Sequence, residues 1–149
     1  MLDASAVYKM NKLVTGPAGV GVCDIRLPIG ENIRAYAKSA GKAVDEVVVA
    51  VLDREYNGEI IQQIRDAGAA TRLLLDGDVA GGIQAARESS RIDICAGVGG
   101  SPEGIVTACG IRALGGFMQG ILAPREDFER ERGAAAGLKF DYVYEMNEM

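Results

Sequence analysis

Three times between residues 47 and 122, a short apolar run gives way to a loop and then to a segment of helical periodicity. Residues 47–52, VVVAVL, form a continuous and largely β-branched run, after which Ile60, Ile61 and Ile64 recur at helical spacing up to Gly68. The second round opens with TRLLL at 71–75, takes DGD at 76–78 as its loop and VAGGIQAARESS as its helix. The third begins with IDICAGV at 92–98, passes through glycines into SPEGIVTACGIRAL, and pauses at Gly115-Gly116 before the run FMQGIL. Strands apolar on both faces and joined through helices predict an α/β fold with a mostly parallel sheet flanked by helices. In such sheets the chemistry collects at the carboxyl ends of the strands. Here those ends are Asp53-Arg54, Asp76-Gly77-Asp78 and the Gly97 to Glu103 loop, so one site built from three loops is the expectation.

A length of 149 residues suits a single α/β domain over 1–149 with a real core. Aromatics make up 5%, tryptophan and histidine are absent, and the core must be assembled from Val, Ile, Leu and Ala. The net charge of −5 with no basic run lacks the electrostatic footprint of a nucleic-acid binder. No 18-residue apolar stretch and no signal-peptide pattern occurs, which predicts a cytoplasmic protein with no membrane partner. Cys23, Cys95 and Cys109 stand at wide, unpatterned spacings and read as small core residues in a reducing compartment. Two further helices are expected. Residues 27–42 present Ile33, Tyr36 and Ala37 on one face, and residues 124–137 carry mixed charge with Pro124 in the first turn, as in a solvated helix.

The loop GVGGSPEG at 97–104 invites comparison with a dinucleotide fingerprint, which fails because Pro102 occupies the third glycine position and FMQGIL ends without an acid for a ribose. A phosphate-cradling Gly-Lys-Ser/Thr loop is absent, both here and at GPAGVG, 16–21. Ser101 as N-cap, Pro102 in the first helical turn and Glu103 beside the helix N-terminus explain part of the loop by local capping. The preceding glycines stay open between a bare turn and exposed amides suited to a phosphate. In DGD, Asp78 either caps the next helix behind a positive-φ Gly77, or joins Asp76 in holding a divalent cation or a polyol hydroxyl. Arg54 suits either a surface position or a bidentate phosphate contact.

Taken in order, YKMNKLVTGP (8–17), ENIRAYAKSAGK (31–42), VLDR (51–54), LLLDGDVAGGI (73–83), GVGGSPEGIVTACGIRALGGFMQG (97–120) and the terminal VYEMNEM resemble the class II fructose-1,6-bisphosphatases. These are bacterial and cyanobacterial enzymes related to the lithium-sensitive sugar phosphatases. The resemblance implies a cytoplasmic, gluconeogenic phosphatase that removes the 1-phosphate of fructose 1,6-bisphosphate, in some members also of sedoheptulose 1,7-bisphosphate, with Mn2+ or Mg2+. Carried over by position, it makes Glu103 a catalytic metal ligand. It also makes Gly100 a substrate contact, Asp76, Gly77 and Asp78 the sugar-gripping loop, and Arg54 the start of a second substrate loop.

This sequence departs from the family pattern in three places. It contains none of the Asp-rich, Glu-Gly-Thr segment that supplies the family's other metal ligands, so the N-terminal metal-binding portion is missing and metal binding by these residues alone is expected to be weak. The family's substrate tyrosine before Met-Asn-Lys is replaced by Lys9, with Tyr8 one position earlier. After Arg54, the usual Pro-Arg-His gives way to Glu55, Tyr56 and Asn57. The expectation is a sugar-bisphosphate-binding portion without turnover of its own, which self-associates or pairs with the missing portion. The alternative is a non-catalytic sugar-phosphate-binding or scaffold relative.

Overall fold

A computed structural model describes all 149 residues. Six strands form one sheet: β1 (Lys9–Thr15), β2 (Val48–Leu52), β3 (Ala70–Leu74), β4 (Ile94–Gly100), β5 (Phe117–Leu122) and β6 (Tyr144–Glu145). The helices are α1 (Ile29–Ala40), α2 (Gly58–Asp66), α3 (Asp78–Ala86), α4 (Ser101–Ala113) and α5 (Asp127–Ala135). The alternating pattern therefore yields the expected α/β fold with helices on the sheet.

The sheet itself corrects the expectation of mostly parallel pairing. Its order is β3-β2-β4-β1-β5-β6. Only β2–β3 and β2–β4 pair parallel, whereas β1 pairs antiparallel with both β4 and β5, and β5 pairs antiparallel with β6. The cause is one strand that the apolar-run pattern does not predict. In KMNKLVT two lysines and an asparagine interrupt the apolar signal, yet the segment enters the centre of the sheet and separates β4 from β5. Because β1 is antiparallel to both neighbours, β5 still runs in the same direction as β2, β3 and β4. The crossovers dictated that direction, and the inserted strand changed the pairing.

Successive residues of a strand face opposite sides, so each face has its own core. On one side Leu13, Val49, Val51, Ile94 and Ala96 pack with Ile33, Tyr36, Ile61 and Ile64 of α1 and α2. On the other, Met10, Val14, Ala50, Cys95, Met118 and Leu122 pack with Ala85, Ala86, Ala108 and Ile111 of α3 and α4. Small residues set the spacing of α3 and α4: a Cβ on Gly82 would stand 2.7 Å from Thr107 Cγ2. The edge strand β3 is poorly covered, with Leu73 39% exposed, and Leu75 just beyond it is 82% exposed.

Three local expectations change. Gly100, not Ser101, is the N-cap of α4, and Ser101 is its first residue, fully buried. Helix α5 begins at Asp127, three residues after Pro124, and is only partly solvated because Glu129 and Gly133 are buried. Cys23 and Cys95 are core residues as expected, but Cys109 is exposed.

Candidate functional site

Helices α2 and α3 follow consecutive strands yet lie on opposite faces of the sheet, α2 beside α1 and α3 beside α4. The chain thus reverses its direction of travel between β2 and β4, the position at which open α/β sheets leave a crevice beyond the strand ends. The direct ladder between these strands comprises Val49↔Ile94 and Ala50↔Cys95. Past it, the buried Asn57 side chain takes over. Its amide donates to Leu52 O at 3.1 Å and Val98 O at 3.0 Å, and its oxygen accepts from Val98 N at 2.8 Å. Gly97 makes room for this with φ +107, where a side chain would also meet Asn57 Oδ1.

The three predicted loops do meet at this edge. Asp53 N donates to Leu74 O at 2.8 Å, and Arg54 Nη1 donates to Asp53 O and Leu75 O, both at 2.9 Å, tying the loops after β2 and β3 together. Asp76 is exposed; one carboxylate oxygen accepts from Gly77 N at 2.8 Å. Gly77 has the positive φ of +84 expected of it and serves as N-cap of α3. Asp78 is then the first helical residue rather than the cap, and its carboxylate is spent elsewhere.

That carboxylate meets Lys12, which sequence reasoning did not single out. Lys12 is 6% exposed, and its Nζ lies 2.5 Å from Asp78 Oδ2 and 2.9 Å from Gly100 O. One ammonium so holds the start of α3 to the end of β4 from the middle strand β1. The strand alternation puts Lys12 on the same face as Met10 and Val14. A lysine among core positions has to be paired, but that signal is readable only once β1 is known to be a strand. Gly99 leaves space for this pair, since a Cβ there would overlap the Asp78 carboxylate, and Gly104 lets α4 approach Met10 Sδ and the Lys12 stem. The buried Cys95 thiol is pushed up to about 12 by burial, with Lys12 and Asp78 acting in opposite directions.

Glu103 projects from the first turn of α4, exposed, with its carboxylate folded over Gly100. It has no ion-pair partner. The residues present do not fit a Mg2+ or Mn2+ site: no group of three acidic, cysteine or histidine side chains comes together, and Asp78 is committed to Lys12. Such ions take about six oxygen ligands.

On the opposite face of the same edge, Lys9, Tyr56 and Arg125 gather. Lys9 Nζ lies 5.5 Å and the Arg125 guanidinium carbon 4.6 Å from the Tyr56 ring centre. Below them a cavity of about 300 Å3 runs between Asn11, Leu27, Ile60 and Gly97. Glu55 is exposed beside Tyr56. Tyr8 is exposed and stacks edge-on with Phe128 at 6.4 Å, with Arg132 over both rings. Glu129, 1% exposed, accepts from Tyr8 N, Arg125 N and Glu126 N at 2.9, 2.8 and 3.0 Å. Burial raises its pKa, but these three donors outweigh that and hold the carboxyl below its usual range. Neither Arg125 nor Glu129 belongs to a loop marked by the sequence; a charged helix start carries no such signal.

All 149 residues match the family described as bacterial fructose-1,6-bisphosphatase, glpX-encoded. The fructose-1,6-bisphosphatase class 2 of Haemophilus influenzae is 35% identical over 161 aligned residues, covering 99% of this chain and 48% of that protein. The D-fructose 1,6-bisphosphatase class 2/sedoheptulose 1,7-bisphosphatase of Thermosynechococcus vestitus is 40% identical over 121 residues, 81% of this chain and 35% of the relative. Its Synechocystis counterpart is 35% identical over 161 residues, 99% of this chain and 47% of the relative. The chain spans between a third and a half of the length of these relatives.

Proposed function

The chain belongs to the bacterial fructose-1,6-bisphosphatase family, glpX-encoded, and from that premise we propose that its 149 residues form the sugar-phosphate-binding portion of a class II fructose or sedoheptulose bisphosphatase. The observation that carries this is the meeting of Arg54, Asp76–Asp78 and Gly99–Glu103 at one strand edge, at the sheet's reversal point, in a chain of this family. In this reading Asp76 accepts sugar hydroxyls through its open oxygen. Asp78 is fixed by Lys12 as a second acceptor, and the close-packed backbone at Gly99 and Gly100 lets the sugar approach the sheet edge. Glu103 offers its free carboxylate on the side where the 1-phosphate would lie. Contact with the sugar hydroxyls needs only the two aspartates and this open backbone.

Hydrolysis needs more. Glu103 is the one uncommitted carboxylate over the Gly99–Gly100 backbone, and activating a water and neutralising a phosphate in this chemistry take a set of acidic ligands. These residues alone are therefore proposed to bind without turning over, in the cytoplasm where the sugar bisphosphates of carbohydrate metabolism occur. Phosphate release from fructose 1,6-bisphosphate in the presence of Mn2+ checks this. The expected rate is background, with no change in Glu103→Ala. Release above background that Glu103→Ala abolishes would show a complete catalytic centre and contradict the proposal.

A further inference from the structure

The geometry points to the free edge of β3 as an interface with a second copy of this chain, in which the two β3 strands pair antiparallel about a two-fold axis at Leu74 and Arg72 of each copy meets Asp76 of the other. The two edges of the sheet differ. At one end β6 is two residues long, whereas β3 at the other end pairs with β2 over all five of its residues and turns its outer side to water. No residue of β3 is buried, although it runs into three consecutive leucines, and Leu73 and Leu75 are 39% and 82% exposed. Natural sheet edges are protected by short strands or by charges that a partner strand leaves unanswered. β3 is not short, and its one charge, Arg72, has an answer four positions on.

The backbone pattern shows which groups are free. Ala70 N donates to Val47 O and Asp53 N to Leu74 O, so the even-numbered residues turn their N–H and C=O groups toward β2. Thr71 and Leu73 therefore turn theirs outward, where a further strand can take them up. Side chains alternate as well: Leu74 packs against the α3–α4 core, which puts Leu73 and Leu75 on the other face of the sheet.

Charge selects the partner and the register. Arg72 and Asp76 are both exposed, and none of the three ion pairs of the structure includes either. They stand two positions to either side of Leu74. In an antiparallel pair centred there, the two-fold axis sets Arg72 against Asp76 of the second copy and Leu73 against its Leu75, and each contact occurs twice. Centring on Arg72 instead opposes two guanidinium groups. Centring on Leu73 sets Arg72 against Leu74 and Asp76 against Ala70, so neither charge is answered. One register thus satisfies the charges and the leucines together. Asp76 belongs to the loop that reaches the candidate site, so each copy delivers its Arg72 to the candidate site of the other.

Charge reversal tests this interface in the absence of any sugar, so its outcome is separate from that of the sugar-binding reading. Sedimentation equilibrium of the full chain is expected to show a monomer–dimer equilibrium. Arg72→Asp and Asp76→Arg, each alone, set two pairs of like charges face to face and are expected to weaken dimerisation by at least about 10-fold. An equimolar mixture of the two variants restores opposite charges at both positions and is expected to regain the wild-type affinity. Both residues are exposed, and the circular dichroism of each variant verifies its fold. A wild-type chain that stays monomeric overturns the proposal. Association that neither reversal weakens overturns it too, because another face then carries the contact. Weakening by both reversals without recovery in the mixture also overturns it, since the two charges then do not meet across the axis.

Discussion

Lys12 carries its charge in a position that water scarcely reaches, and a single carboxylate, Asp78, balances it. Removing one member of a buried pair leaves the other charge uncompensated, at a cost of about 3–5 kcal/mol, while replacing both by apolar residues is often close to neutral. Asp78→Asn is therefore expected to lower stability by about 3–5 kcal/mol in thermal or urea denaturation, and Lys12→Met with Asp78→Leu to recover most of it. Equal stability of Asp78→Asn and wild type would mean that Gly100 O and water satisfy the ammonium. Asp78 was legible in the sequence as part of DGD, and its ion pair was not. Its partner sits 66 positions away, in a strand whose polar residues hide it. Asn57 is similar: its substitution is visible against the family pattern, but its role as a bridge between Leu52 and Val98 depends on two strands parting beyond Cys95.

At the scale of elements, β2 and β4 were readable because continuous burial on both faces leaves a continuous apolar run, as in Val48–Leu52, whereas β3 was readable from its leucines alone, exposed as they are at the sheet edge. The strand β1 was not, because polar residues interrupt its apolar signal at one end while the other end is core. Lys9 and Asn11 are half-buried and Lys12 is buried in its ion pair, whereas Leu13 and Val14 are buried apolar residues. The exposed edge strand β3 has a consequence of its own. It pairs on one side only, and Leu73 and Leu75 stand beside its unpaired backbone, an arrangement that invites a second strand. Sedimentation velocity of the chain is expected to show a concentration-dependent increase in size, reversed by Leu73→Lys with Leu75→Lys. A constant monomer over the accessible range would show that β3 is protected by its own twist and by Arg72.

For the whole molecule, the insertion of one antiparallel strand into a set of co-directional ones explains how the site is assembled. It brings the amino end of β1, with Lys9 and Lys12, to the carboxyl ends of β2, β4 and β5, so cations of one strand meet acidic and glycine-rich loops of the others. The family relation covers the full chain, and the three loops that meet at this edge bring no full set of metal ligands together. The claim that this edge binds a sugar bisphosphate is tested most directly by mapping where fructose 1,6-bisphosphate perturbs the assigned amide spectrum in the absence of metal. The expected shifts are confined to Arg54–Asn57, Asp76–Asp78 and Gly97–Glu103, and are lost together in Asp76→Ala. Saturable shifts at the opposite strand ends, around Tyr36, Lys42 and Asp93, with none at this edge, would contradict it.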